Sequence, residues 1–143
     1  MGFGIWELGV AALIGYVFGS LPTGYLVVKW KTGQDVRKVG SGRTGGTNVL
    51  RAAGSRAFLI TVLGDVNKGM WSALIARWLL QSDDLMLVTG FCTLVGNNWS
   101  LFLRGKGGAG MMTGAGTLLA IAPLPILILT APLLLVFRLS RIA

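Results

Sequence analysis

The sequence predicts an all-α, polytopic membrane fold of about five transmembrane segments, with the N-terminus outside and glycine-rich loops on the cytoplasmic side. Three observations carry this reading. Of 143 residues, 53% are hydrophobic and only 13% charged, with a mean hydropathy of +0.71, where soluble domains run at roughly 45–50% and 25%. A soluble fold this small has too little interior to hide so much apolar surface. The apolar residues fall in runs of spanning length, and the basic residues cluster between those runs.

The first run covers residues 4–28, with Glu7 near its outer end and Pro22 near its inner end marking its limits. It follows a start that lacks the positive n-region and small-residue cleavage site of a secretory signal, so it is expected to remain as an anchor. A second run, about Ala57 to Leu80, is interrupted by Asp65 and Lys68. A third, about Leu85 to Leu103, contains Asn97 and Asn98. The stretch from Met111 to Phe137 carries Pro123, Pro125 and Pro132, which predicts a hairpin of two short or tilted segments turning near Ala122 to Pro125. One long kinked span is the alternative.

Orientation follows the lysine and arginine count of short loops. Lys29, Lys31, Arg37, Lys38, Arg43, Arg51 and Arg56 lie after the first run, Arg104 and Lys106 after the third, and Arg138 and Arg141 near the end. All of them share one side if the N-terminus is outside and 111–137 is a hairpin. Glu7, Asp83 and Asp84 then take the other. Gly15-x-x-x-Gly19 and Gly110-x-x-x-Gly114 permit close helix approach, within one bundle or between copies.

Several chemistries are excluded at once. Cys92 is the only cysteine, so no intramolecular disulfide and no cysteine metal cluster can form. The chain has no histidine, which removes Ser–His and Cys–His pairs, histidine-ligated metals and the commonest general base. Catalysis must use hydroxyls, carboxylates, lysine, backbone amides or the substrate itself; neither a cofactor nor a metal is expected. A net charge of +8 on a soluble domain would point to nucleic acid. Here the cations flank apolar spans, so anionic headgroups or phosphate-bearing ligands are the expected partners.

Within Asp35 to Arg51 the sequence concentrates glycine, hydroxyls, an amide and cations. Gly40, Gly42, Gly45 and Gly46 free backbone N–H groups to converge on an anion, Ser41, Thr44 and Thr47 add O–H donors, and Arg51 can grip a phosphate bidentately. A helix beginning near Thr47-Asn48 would add its dipole. The segment Gly40 to Gly45 also matches the dinucleotide fingerprint G-x-G-x-x-G, but that motif needs a preceding strand and here a membrane helix and a basic loop come first. Composition alone equally allows a flexible basic loop lying on anionic lipid. A second cluster, Arg104 to Gly110, places bare amides beside Lys106 and lacks Walker A spacing. On the same side as the first, it can help clamp one polyanionic ligand. Asp65 and Lys68 share a helix face and are costly in hydrocarbon unless paired or facing a polar interior. They form either a structural ion pair or, through Lys68, part of a phosphate site.

Taken together and in this order, the clusters resemble the acyl-phosphate:glycerol-3-phosphate acyltransferases, small multi-span bacterial membrane enzymes. The family's first motif, approximately GSGN-x-GATN-x-x-R, is similar to GSGRTGGTNVLR at Gly40 to Arg51. Its Asp-x-x-Lys-Gly is similar to Asp65 to Gly69, and its GH-x-x-P-x-F…(K/R)GG(K/R)G to Gly96 to Phe102 and Lys106 to Gly110. The resemblance implies a catalytic set of Ser41, Arg51 and Asn97. It implies a substrate-binding set of Thr47, Asn48, Lys68, Lys106, Gly107, Gly108 and Gly110, with acyl-phosphate and glycerol 3-phosphate as substrates and membrane lipids as surroundings. It further implies a multi-pass protein of the bacterial plasma membrane, with a cytoplasmic active site that makes lysophosphatidic acid with proton transfer assisted by the substrate phosphate.

The sequence departs from the family pattern at four positions: Asn97 stands for histidine, Arg43 for asparagine, Gly46 for alanine and Ala109 for a basic residue. The family also continues into further helices, so residues 1–143 read as a single transmembrane acyltransferase domain without them. A catalytically impaired homologue that binds phosphate esters or lipid without turnover is the alternative function.

Overall fold

The computed structural model describes residues 2, 4–126 and 128. Among them there is no strand. Five α-helices run as α1 (Ile5–Ser20), α2 (Thr23–Thr32), α3 (Gly46–Leu80), α4 (Asp83–Asn98) and α5 (Met111–Ile121), with short 3-10 turns at Val36–Lys38 and Leu101–Leu103. Two stretches, Ile5–Thr32 and Asp83–Leu103, are long and apolar enough to cross a membrane.

The first apolar run is not one helix. α1 stops at Ser20, Leu21 adopts φ −58, ψ 117, and α2 starts only at Thr23. Pro22 forces this, because a proline disfavours helical backbone at the residue before it and brings no N–H of its own. The second run also differs from expectation: α3 begins at Gly46 rather than near Ala57 and continues for 35 residues. It breaks at Gly54, whose φ of 79 and ψ of −178 lie outside the helical region. The lysine of Lys31 donates to the Ala53 carbonyl beside that break at 2.7 Å. At about 1.5 Å per residue α3 is far longer than the roughly 30 Å hydrocarbon core, so its first turns belong with the loops. α5 ends where the proline cluster begins, at Ala122 with φ −140, and a helical turn resumes as the Ile126 amide donates to the Ala122 carbonyl. The second limb of the expected hairpin lies outside the described residues.

The bundle interior is built from small and hydroxylic residues. α1 and α4 run parallel, with Gly15 facing Thr89, Gly19 facing Thr93 and Gly96 facing Tyr16; a Cβ on Gly19 would lie 2.0 Å from the Thr93 carbonyl oxygen. The Gly15/Gly19 motif is thus used inside one bundle. α3 and α5 approach equally closely, where a Cβ on Gly116 would lie 1.9 Å from the Val66 carbonyl oxygen. Buried hydroxyls stitch the contacts: Thr89 donates to the Ala11 carbonyl at 3.1 Å, and Ser72 and Thr93 share a hydrogen bond of 2.8 Å. Large apolar side chains such as Leu13, Leu63 and Phe91 point outward. In lipid, burying leucine against leucine provides little drive, so helices associate through close backbone packing and interhelical hydrogen bonds.

Candidate active site

The first glycine cluster is shaped by Asn48, near the start of α3. Its side-chain nitrogen donates to the carbonyls of Val36 (3.0 Å), Val39 (2.9 Å) and Arg43 (2.8 Å), and its oxygen accepts the Ser41 N–H at 3.2 Å. The two N–H donors of this amide are thus shared among three carbonyls, leaving none for a ligand. Asn48 was expected on the substrate; its amide nitrogen is instead spent on folding the loop. Gly40 is obligatory in this arrangement, with φ 51 and a Cβ position only 2.4 Å from Asn48 Oδ1. Upstream, Asp35 accepts from the Arg37 backbone and guanidinium. The Arg37 side-chain bond holds the Asp35 carboxyl down at about 2, and the same contact raises Arg37 above its usual range.

The second cluster is folded by the end of α4. The amides of Gly107 and Gly108 donate to the backbone carbonyls of Asn98 (3.1 Å) and Asn97 (2.9 Å). Gly107 must be glycine, since a Cβ there would lie 2.0 Å from the Asn97 carbonyl oxygen. Ser100 ties the preceding turn to α1 by donating to the Ser20 carbonyl at 2.6 Å. The two clusters then join, because the Thr44 amide donates to the Gly107 carbonyl at 3.3 Å.

Two cavities open on either side of that junction, and both touch Arg43 and Ala109. One, of about 270 Å³, has Ser41, Thr47 and Gly110 at a polar rim and Phe58, Val62 and Met112 as apolar wall. The other, of about 420 Å³, is polar and lined by Lys106, Gly107 and Gly108 beside Trp99. At the start of α3 the Gly46 and Thr47 amides carry the unsatisfied donors and positive dipole end of a helix N-terminus. Ser41, Arg43, Thr47 and Lys106 are exposed. Arg51 is exposed too, its Cδ beside Gly40, and it lines neither cavity.

Lys68 and Asn97 lie deeper. Lys68 Nζ meets Asp65 Oδ1 at 2.8 Å, Asn97 Oδ1 at 2.7 Å and the Leu21 carbonyl at 3.0 Å, so its three N–H donors each have an acceptor. Thr23 donates to the same Asp65 oxygen. A lysine expected to reach a phosphate is therefore committed to the bundle interior. The Leu21 carbonyl is available to it because Pro22 interrupts the helix there. Sequence reasoning named Thr44 as a hydroxyl donor to an anion but gave Arg43 no role in the site; the only signal for Arg43 was its place among the glycines.

The matching family is described as Glycerol-3-phosphate acyltransferase, over residues 9–143. The chain belongs to the glycerol-3-phosphate acyltransferase family. A glycerol-3-phosphate acyltransferase of Rubrobacter xylanophilus is 50% identical over 111 residues, covering 78% of this chain and 55% of that protein. One of Pseudomonas aeruginosa is 39% identical over 137 residues, covering 96% and 71%. Crystal structures of PlsY, an integral membrane glycerol 3-phosphate acyltransferase, match in the glycerol 3-phosphate form (TM-score 0.75, 33% identity) and the lysophosphatidic acid form (0.71, 30%), each covering 85% of this chain and 60% of that one. The chain spans about half the length of several curated relatives that it matches. Within this glycerol-3-phosphate acyltransferase family member, the four departures from the motifs fall at or near the site. Arg43 and Ala109 border both cavities, Gly46 lines the smaller one, and Asn97 lies beneath the loops on Lys68.

Proposed function

We propose that this chain carries the loop-bearing part of a membrane enzyme that moves a fatty acyl group from acyl-phosphate to the 1-hydroxyl of glycerol 3-phosphate, forming lysophosphatidic acid at the cytoplasmic face of a bacterial membrane. The observation that carries the reading is the hydrogen bond from Thr44 to Gly107, which makes one anion-binding surface of two glycine clusters far apart in sequence. The names of the relatives and of the two crystal forms support the same chemistry.

The polar cavity, where Lys106 stands beside Gly107 and Gly108 with no side chains to crowd a ligand, suits the phosphate of glycerol 3-phosphate. The smaller cavity suits acyl-phosphate, whose phosphate would lie at Ser41, Thr47 and Arg43 with Arg51 alongside, and whose chain would follow Phe58 and Val62 toward lipid. The acceptor hydroxyl attacks the acyl carbonyl carbon, the bond from that carbon to the phosphate oxygen breaks, and inorganic phosphate leaves carrying the hydroxyl proton. The chain has no histidine, and Asp65, which borders the smaller cavity, is bound through Oδ1 to Thr23 and to the Lys68 ammonium, a contact that disfavours its acting as a base. A phosphate oxygen of the donor is therefore the base at hand. Cations and backbone amides stabilise the charge that develops.

The test is lysophosphatidic acid formation in membranes carrying the protein, from acyl-phosphate and glycerol 3-phosphate. Product is expected from that donor, with Arg51→Ala losing most of it while insertion persists. Membranes that bind glycerol 3-phosphate yet form no product would favour the non-catalytic alternative.

A further inference from the structure

Asn97 stands at the position where the family resemblance implies histidine, and its environment assigns it a definite orientation. Lys68 can only donate, so the Asn97 atom 2.7 Å from its ammonium must be the oxygen. The amide nitrogen is thereby turned away from α3, toward the second glycine loop. Asn97 is only 6% exposed, and among the described residues this nitrogen has no hydrogen-bond acceptor. Among the described residues the side-chain polar atoms that are both sealed off and unpaired are those of Thr61 and Thr113, so the Asn97 nitrogen reaches open space and is free to donate to a ligand.

The bare face of Gly108 shows where. A methyl group placed on Gly108 would lie 3.1 Å from Asn97 Nδ2, 3.4 Å from Thr44 Oγ1 and 3.6 Å from the Gly45 amide nitrogen. The Thr44 hydroxyl and the Gly45 N–H likewise have no acceptor among the described residues. Three free donors, one from each of α4, the first loop and the N-terminal end of α3, thus gather around one point. It lies at the wall between the two cavities, since Gly45 borders one, Gly108 the other, and Arg43 and Ala109 both.

We propose that Asn97 Nδ2, Thr44 Oγ1 and the Gly45 N–H form an oxyanion subsite for a phosphate oxygen, and that Lys68, itself set by Asp65 and Leu21, is the positioning residue that aims the Asn97 amide into it. The proposal rests on the reading of the loops as a phosphate site and adds to it the orientation of the Asn97 amide and the part Lys68 plays in setting it. Glycine at 108 is required because any side chain would occupy the subsite. Asparagine suits position 97 because Lys68 takes its oxygen and leaves a neutral donor for the anion. Both substrates carry phosphate, so the shared chemistry is a phosphoryl oxygen.

The experiment measures binding of inorganic phosphate, and then of glycerol 3-phosphate, to the reconstituted protein by calorimetry, which needs no turnover. Asn97→Asp keeps an oxygen for Lys68 but replaces the donor with an acceptor of like charge. Losing a hydrogen bond to a charged group corresponds to a weakening of about 10- to 100-fold, and that is the expected effect on phosphate. Thr44→Val should weaken phosphate several-fold, whereas Thr117→Val, at a buried hydroxyl between α3 and α5, should leave it unchanged. Loss of glycerol 3-phosphate affinity in parallel assigns the subsite to the acceptor. Loss of inorganic phosphate alone, with KM rising for acyl-phosphate, assigns it to the donor. For Lys68, the charge-neutral pair Asp65→Asn with Lys68→Met should weaken phosphate in the native background and add nothing in Asn97→Leu. Native-like phosphate affinity in Asn97→Asp would overturn the subsite, and additive effects in the Asn97→Leu background would overturn the positioning role. Intact phosphate binding without acyl transfer would instead count against the enzymatic reading alone.

Discussion

The ammonium of Lys68 and the side-chain oxygen of Asn97 meet at 2.7 Å across the packed faces of α3 and α4. Because Lys68 also holds Asp65 and the Leu21 carbonyl, one buried cation couples the break in the first apolar run to the floor of the loop site. Removing one member of a buried ion pair typically costs about 3–5 kcal/mol, while replacing both by uncharged groups costs far less. Lys68→Met should therefore lower the unfolding midpoint in detergent markedly, and Asp65→Asn with Lys68→Met should recover much of the loss. Equal losses in the single and double variants would show that the site depends on shape rather than on charge pairing.

The glycine contacts between helices make a second prediction. Gly19 and Gly116 face backbone carbonyls with no room for a Cβ, whereas nothing lies within 4 Å of a Cβ on Gly9. Overpacking a fitted interior costs about 1–3 kcal/mol for modest insertions and more where backbone must move. Gly19→Val and Gly116→Val should each destabilise the protein by at least that, while Gly9→Ala should be neutral or slightly stabilising. Thermal unfolding in one detergent compares all three.

Orientation can be read chemically. In a Cys92→Ser background, single cysteines at Arg43 and Lys106 should resist an impermeant thiol reagent in intact cells, and one at Ser82 should react. Ser82 caps α4 at the end of the bundle opposite the loops, beside the Arg77–Asp83 ion pair. Labelling at position 43 from outside the cell would invert the proposed topology.

A pH prediction attaches to the first loop. The Asp35 carboxyl is held at about 2 by Arg37 against an ordinary 3.8. Since the folded value is the lower one, the contribution of this pair to loop order is fully present above about pH 4. It is lost as pH falls through about 2. Carboxyl resonances of Asp35 followed by NMR should titrate near 2, and in Arg37→Gln they should return toward 3.8. Titration near 3.8 in the native protein would show that the bidentate contact is not formed in solution.

How far the sequence reached differs from element to element. The helical class, the two glycine clusters and the pairing of Asp65 with Lys68 follow from residue type and spacing, because hydrocarbon leaves few alternatives to helices and few tolerable settings for charge. A helix start near Thr47-Asn48 was legible, but not that this helix continues into the second apolar run as one α3. Its first turns, Gly46 to Arg56, carry two cations and two hydroxyls and no apolar periodicity, and only the backbone shows them running on through the break at Gly54.

The sequence by itself determined the membrane class, the family and the phosphate-seeking character of the loops, since these depend on composition and on motifs contiguous in the chain. Tertiary structure alone decided which polar side chains are committed to the protein and which remain free. Asn48 and Lys68 have the chemistry of substrate binders, yet neighbouring carbonyls and carboxylate take up their hydrogen-bonding capacity. Thr44, Gly45 and Asn97 keep donors to spare. Whether a polar group is free or committed depends on acceptors supplied by other helices. Residues 21, 68 and 97 are far apart in sequence and are neighbours only because α1, α3 and α4 pack through small side chains.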